Sequence, residues 1–220
     1  MSSHSVSVLC PSDLSPNPAN AADVDVLAAL LGRTHSSSAG RVAAASLIDA
    51  FGGLAGVAAA DEAALRRQGL SKAAVVALGS VRALAIAMAR AEACRRPVLS
   101  SWTALTAYLR AELAHAPREQ FRVIFLDRRN ILMKDEWRAD GTISHAPVYP
   151  REVVRRALEL SASALILVHN HPSGDPGPSR SDIEMTRRVV EAARVFDIQV
   201  HDHVIVGREG TASFKSLGLM

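Results

Sequence analysis

Apolar residues follow two different rhythms along this chain. Up to about residue 96 they recur at helical spacing within Ala- and Leu-rich stretches, whereas from residue 120 alternating and continuous apolar runs are interleaved with helical ones. Residues 1–20, rich in Ser, Pro and Asn, show no period and are expected to form a disordered tail. The pattern then predicts helices over 23–31, closed by Gly32, over 39–51, closed by Gly52-Gly53, over 62–68, stopped by Gly69, and over 71–94. These make residues 21–96 a small all-helical domain. Arg95-Arg96-Pro97 marks its end, because Pro97 cannot continue a helix and biases Arg96 away from helical geometry.

Residues 98–220 read as a second domain. A helix over 101–113 leads to an alternating strand at 120–126, a turn at Asp127-Arg128-Arg129-Asn130, and a partner strand at 131–138. An amphipathic helix over 151–160 starts just after Pro150. The continuous apolar run 164–168 predicts a central strand buried on both faces, followed by a helix over 180–196 and a strand over 199–206. The predicted class is α/β (α+β), a mixed sheet flanked by helices.

Composition adds limits. With 220 residues and 49% apolar content the chain can bury a full core. Net charge is only +3, and it is evenly spread: residues 1–100 carry 9 Lys/Arg against 7 Asp/Glu, and residues 101–220 carry 16 against 15. No dense cationic stripe speaks for nucleic acid. Two cysteines, Cys10 and Cys94, make neither a disulfide framework nor a metal-binding pair. With no leader pattern and no apolar run near ~18 residues, a cytoplasmic protein without a membrane partner is expected.

The chemistry concentrates in His169-Asn170-His171-Pro172-Ser173-Gly174-Asp175-Pro176-Gly177-Pro178-Ser179-Arg180-Ser181-Asp182. His169 and His171 lie two apart at the end of a predicted strand, so both imidazoles point to one face. Ser179 stands at a helix N-cap and Asp182 at its third position, where the helix dipole favours a carboxylate. If the loop returns that turn to the histidines, three ligands hold a metal and leave a fourth position open. Asp175 is expected to bond a ligating histidine or to stabilise its turn. His201 and His203 share a strand face by alternation; they are candidates to support the ligating histidines, but with no carboxylate at ligand spacing they are read as structural.

His-x-His, seven residues, then Ser-x-x-Asp resembles the motif of the JAMM (MPN+) metalloprotease family. The wider string resembles its RadC branch, long labelled a DNA repair protein. The similarity extends over Phe121 to Asp127, Gly141-Thr142, Pro150 to Val153 and Asp202 to Gly207, and so covers about residues 98–220. It implies one Zn2+ per chain held by His169, His171 and Asp182, with Ser179 hydrogen-bonding the oxyanion or the water. It also implies an upstream glutamate as general base, for which Glu119 is the best match and Glu136 and Glu152 are competitors. The implied reaction is hydrolysis of an amide or isopeptide bond in a protein or peptide. A rival reading is a DNA-binding accessory protein: Gln68-Gly69-Leu70-Ser71-Lys72-Ala73 resembles a helix-hairpin-helix turn, with Ser71 replacing the second glycine. The few Lys/Arg nearby make the expected DNA contact weak. A third reading, a scaffold without catalysis, runs against the intact ligand set.

Overall fold

A computed structural model describes residues 18–32, 37–140 and 148–220. The predicted disordered tail, apart from residues 18–20, and the Gly141-Thr142 segment lie outside these. The chain forms two compact units, up to Ser80 and from Val81 onward.

The first unit contains α1 (Pro18–Leu31), α2 (Ser37–Phe51), α3 (Leu54–Ala59), α4 (Glu62–Arg67) and the start of α5 (Lys72–Cys94). The Gly and Ser punctuation acts as expected. Gly52, Gly53 and Gly69 all take positive φ, Asp61 caps α4 through the Ala64 N–H, and Ser71 caps α5 through the Ala74 N–H. Leu27, Leu31, Leu47, Ile48, Val57, Leu65, Leu70 and Leu78 form its core. The short α3 was not expected from sequence.

From Val81 on, α5 belongs to the second unit. There Ala93 is buried, with Ile86 and Ala89 packed beside it. The helix ends at Cys94, ahead of Pro97. By length and composition it is the one described helix able to cross a membrane, with 11% of its 18-residue apolar window buried. The expectation of no such stretch is corrected to that extent. Gly79, Ser80 and Arg82 interrupt its Ala-rich run, so the sequence shows no unbroken apolar stretch of that length.

The second unit is a three-layer α/β/α sandwich. Five strands, β1 (Gln120–Leu126), β2 (Leu132–Asp140), β3 (Ala164–Asn170), β4 (Gln199–Val206) and β5 (Thr211–Ser213), are ordered β2-β1-β3-β4-β5. Only the β3–β4 pair is parallel. α6 (Trp102–Leu113) covers one face with Leu105, Leu109 and Leu113 against Ile124, Ile166 and Val204. α7 (Pro150–Glu159) and α8 (Arg180–Arg194) cover the other, with Val153, Val154 and Val189 against Val123, Leu165 and Leu167. β3 is buried along its whole length, as its unbroken apolar run requires.

One polar network is set into the α6 face. Arg122 Nε donates to Asp135 Oδ1 at 2.9 Å, Arg122 Nη1 donates to Glu112 at 3.2 Å, and the Tyr108 hydroxyl donates to Asp135. The Asp135 side chain is 1% exposed. Burial pushes the Tyr108 phenol up, and the neighbouring Asp135 adds to the shift. Burial alone would lower the Arg122 guanidinium, but Asp135 outweighs it and raises it. Asp135→Ala strands a buried arginine and a buried hydroxyl, so we expect it to destabilise this unit by about 3–5 kcal/mol, measured by urea unfolding. A cost below about 1 kcal/mol contradicts the expectation.

Candidate metal centre

α8 carries its inward stripe at Asp182, Thr186, Val189 and Ala193, the i, i+4, i+7, i+11 positions of one helix face. Val189 and Ala193 are core. The N-terminal end of the same stripe is polar and meets the end of β3. Ser179 caps α8 in a reciprocal box: its N–H and hydroxyl donate to Asp182 Oδ2 at 2.8 and 2.7 Å, and its Oγ accepts from the Asp182 N–H at 3.2 Å. Asp182 Oδ2 is thereby fixed, and Oδ1 is left facing His169 Nε2 at 3.5 Å.

The loop between β3 and α8 closes the site. His171 N–H donates to the Val206 carbonyl, and the chain turns at Gly174, whose φ is +105°. The loop lies directly on Gly207, where an added Cβ would stand 2.0 Å from the Gly174 oxygen. Asp175 has two functions here. Its side chain accepts from the Gly177 N–H, and its main-chain oxygen lies 2.9 Å from His171 Nδ1. A carbonyl only accepts, so Nδ1 carries the proton and Nε2 of His171 keeps its lone pair.

His169, His171 and Asp182 therefore come together, with one donor atom from each within 4.8 Å of the others. The separations are 3.0 Å between the two Nε2 atoms, 3.5 Å from His169 Nε2 to Asp182 Oδ1, and 3.5 Å from His171 Nε2 to Asp182 Oδ2. A four-coordinate ion with bonds of ~2.0–2.1 Å spaces its ligand atoms by roughly 3.3 Å. The donor set and its spacing fit a divalent metal ion. Burial would push the Asp182 carboxyl up, but the neighbouring His169 and His171 rings and the Ser179 hydroxyl that donates to it hold it well below the usual carboxylate range. The Asp182 contact raises His171 above its ordinary value.

A cavity of about 410 Å³ opens beside the cluster, lined among others by Glu119, Phe121, Tyr149, His169, Ser181 and Asp182. Glu119 immediately precedes β1. Its loop is held by Asn170, a buried amide whose Oδ1 accepts from the Gln120 N–H at 2.8 Å and whose Nδ2 donates to the Arg118 carbonyl at 3.1 Å. The competing glutamates are engaged by arginines and do not line this cavity: Glu136 with Arg156, and Glu152 with Arg151 and Arg155. Ser179 does not line it either, whereas Ser181, whose Oγ is 2.8 Å from Ser179 Oγ, does.

His201 and His203 do not share a face. A register shift pairs Leu165 with Val200 but Ile166 with Asp202, leaving His201 at a bulge. His201 Nε2 meets Asn130 Oδ1 at 2.6 Å. His203 turns inward, fully buried, with Nε2 2.8 Å from His169 Nδ1. The strand alternation expected from sequence fails at that one residue; His203, of the two readings the sequence leaves, is the partner of a ligating histidine, and Asn170 is a partner of the site that the sequence did not point to.

Burial lowers His203 well below its ordinary value and also lowers His201 and His115. The unfolded chain then binds more protons than the folded one as pH drops below ~6.5, so stability falls in that direction. His171, whose value is raised, acts oppositely but is alone among these histidines in doing so. We expect the metal-free protein to melt at a lower temperature at pH 5.5 than at pH 7.5; an unchanged or higher melting temperature contradicts this.

The fold and the cluster define a JAMM/MPN-related domain with a candidate metal site. Residues 99–219 match the RadC-like JAB domain. Over 199 residues the chain is 49% identical to a UPF0758 protein of Rhodobacter capsulatus, covering 90% of this chain and 93% of that one. The chain belongs to the RadC-like (UPF0758) family.

Proposed function

We propose that this protein is a zinc-dependent hydrolase, one ion per chain, that cleaves an amide or isopeptide bond in a protein or peptide. The observation that carries this reading is the convergence of His169, His171 and Asp182 at a cavity that Glu119 also lines. Two imidazoles and one carboxylate suit zinc and leave a coordination position open, as catalytic rather than structural sites do. Zinc, when bound, supplies a Lewis acid that brings the pKa of water toward ~7 and polarises a carbonyl.

Glu119 accepts the proton of the attacking water and delivers it to the leaving amine. Asn170 keeps Glu119 at the cavity by holding both flanks of its loop. Ser179 orients Asp182 through the cap. Its hydroxyl stabilises the developing oxyanion only by leaving Asp182 Oδ2, while Ser181 presents a second hydroxyl to the same cavity. A DNA-binding accessory role has less support. The α4–α5 turn is formed, but Arg66 is turned onto the Leu70 carbonyl at its base. We place the protein in the cytoplasm, in keeping with its two cysteines.

Purified protein is expected to carry about one zinc per chain. So loaded, it should release new amino termini from a peptide or isopeptide library, and chelation should stop the release. Protein that takes up no zinc overturns this reading.

A further inference from the structure

His169 becomes a ligand only if its proton sits on the far nitrogen, because a neutral imidazole coordinates through the nitrogen that lacks one. What stands behind His169 determines where that proton goes. The main-chain carbonyl of Asp182 can only accept, and it lies 2.6 Å from Thr186 Oγ1, so the Thr186 hydroxyl donates there. A hydroxyl has one proton. Toward His203 Nδ1, also at 2.6 Å, Thr186 is therefore the acceptor, and that nitrogen is protonated. His203 is 0% exposed and packed between Phe121 and Phe214, at ring separations of 6.0 and 4.5 Å, surroundings in which a second proton is costly. Its Nε2 is then a bare acceptor, and His169 Nδ1, 2.8 Å away, supplies the hydrogen.

We propose that Thr186 and His203 are positioning residues whose hydrogen-bond relay, from the Asp182 carbonyl to His169, fixes the His169 tautomer that presents Nε2 to the metal. The relay is economical in sequence. Asp182 and Thr186 are one helical turn apart, so a single turn of α8 supplies a ligand carboxylate, the carbonyl that starts the relay and the hydroxyl that carries it on. β4 supplies His203 because it lies parallel beside β3, and the bulge at His201 gives His203 its inward orientation. The relay rests on the metal-site reading above.

The tautomer can be read without metal and without a variant. Imidazole nitrogen NMR of the metal-free full chain is expected to show His169 protonated at Nδ1. Protonation at Nε2 overturns the relay. Thr186→Val keeps the shape and removes the hydroxyl, and Thr186→Ser restores it. With zinc affinity measured by chelator competition, Thr186→Val is expected to lose about 10- to 100-fold, with a mixed His169 tautomer, and Thr186→Ser to stay near wild type. His171→Ala is the control that separates the two ideas. Wild-type affinity in Thr186→Val beside a large loss in His171→Ala overturns the relay alone. Unchanged affinity in His171→Ala overturns the metal site and the relay with it.

Discussion

Alanine at His171 is expected to strip the protein of tightly held metal and of metal-dependent activity together. His171 contributes a side chain whose Nε2 faces His169 and Asp182 and whose Nδ1 is already committed to the Asp175 carbonyl. Removing it leaves one imidazole and one carboxylate, too few to compete for a divalent ion. The loss should exceed the ~100-fold upper end seen when a residue that only supports a ligand is changed. The fold should survive, since His171 belongs to neither apolar core and its main-chain bond to Val206 remains. Binding to the folded state alone adds about 2.7 kcal/mol of stability at a hundredfold excess over the dissociation constant. Chelation should therefore lower the melting temperature of the metal-loaded wild type and leave that of His171→Ala unmoved. A variant that keeps wild-type metal content through dialysis contradicts the assignment of His171 as a ligand.

Much of this centre is legible in the sequence because it is built from local rules. Two histidines two apart at the end of an unbulged strand share a face, and Ser179 three before Asp182 is a helix start. The run 164–168 announces a strand buried on both sides, and the structure extends it to Asn170 so that its last turn of the pleat carries His169 into the site. Gly32, Gly53 and Gly69 likewise fall where helices stop. These features depend on spacing, and spacing survives in a one-dimensional record.

What escaped depends on contacts between distant segments. Asn170 is a polar residue in an apolar strand, and nothing nearby says that its amide serves a loop fifty residues earlier. Thr186 reads as an ordinary inward residue of an amphipathic helix. His203 was read as structural because no carboxylate stands at ligand spacing from it, and its contact with His169 joins two strands far apart in the chain. α3 is six residues long and β5 three, both too short to show a period. The α4–α5 turn shows the opposite case, a local motif readable in the sequence whose partner is not.

Glutamine at Glu119 should separate metal binding from chemistry. The side chain keeps its size and hydrogen-bonding reach but loses the capacity to take a proton. Glu119 is not among the three clustered ligands, so zinc content should stay near one per chain while hydrolysis falls by about 10²–10⁴-fold. Glu136→Gln and Glu152→Gln, whose wild-type carboxylates are engaged by arginines, should leave the rate within a few-fold of wild type. Asn170→Ala provides the graded version. It frees the segment from Arg118 to Gln120 without touching Glu119, so the rate should fall, by less than in Glu119→Gln, with metal content preserved. The measurement is turnover of a cleavable peptide by zinc-loaded protein, with metal quantified in the same samples. Full activity in Glu119→Gln would place the base elsewhere. A loss of zinc in Glu119→Gln would mean that this carboxylate helps to hold the metal, directly or through the charge it sets beside His171.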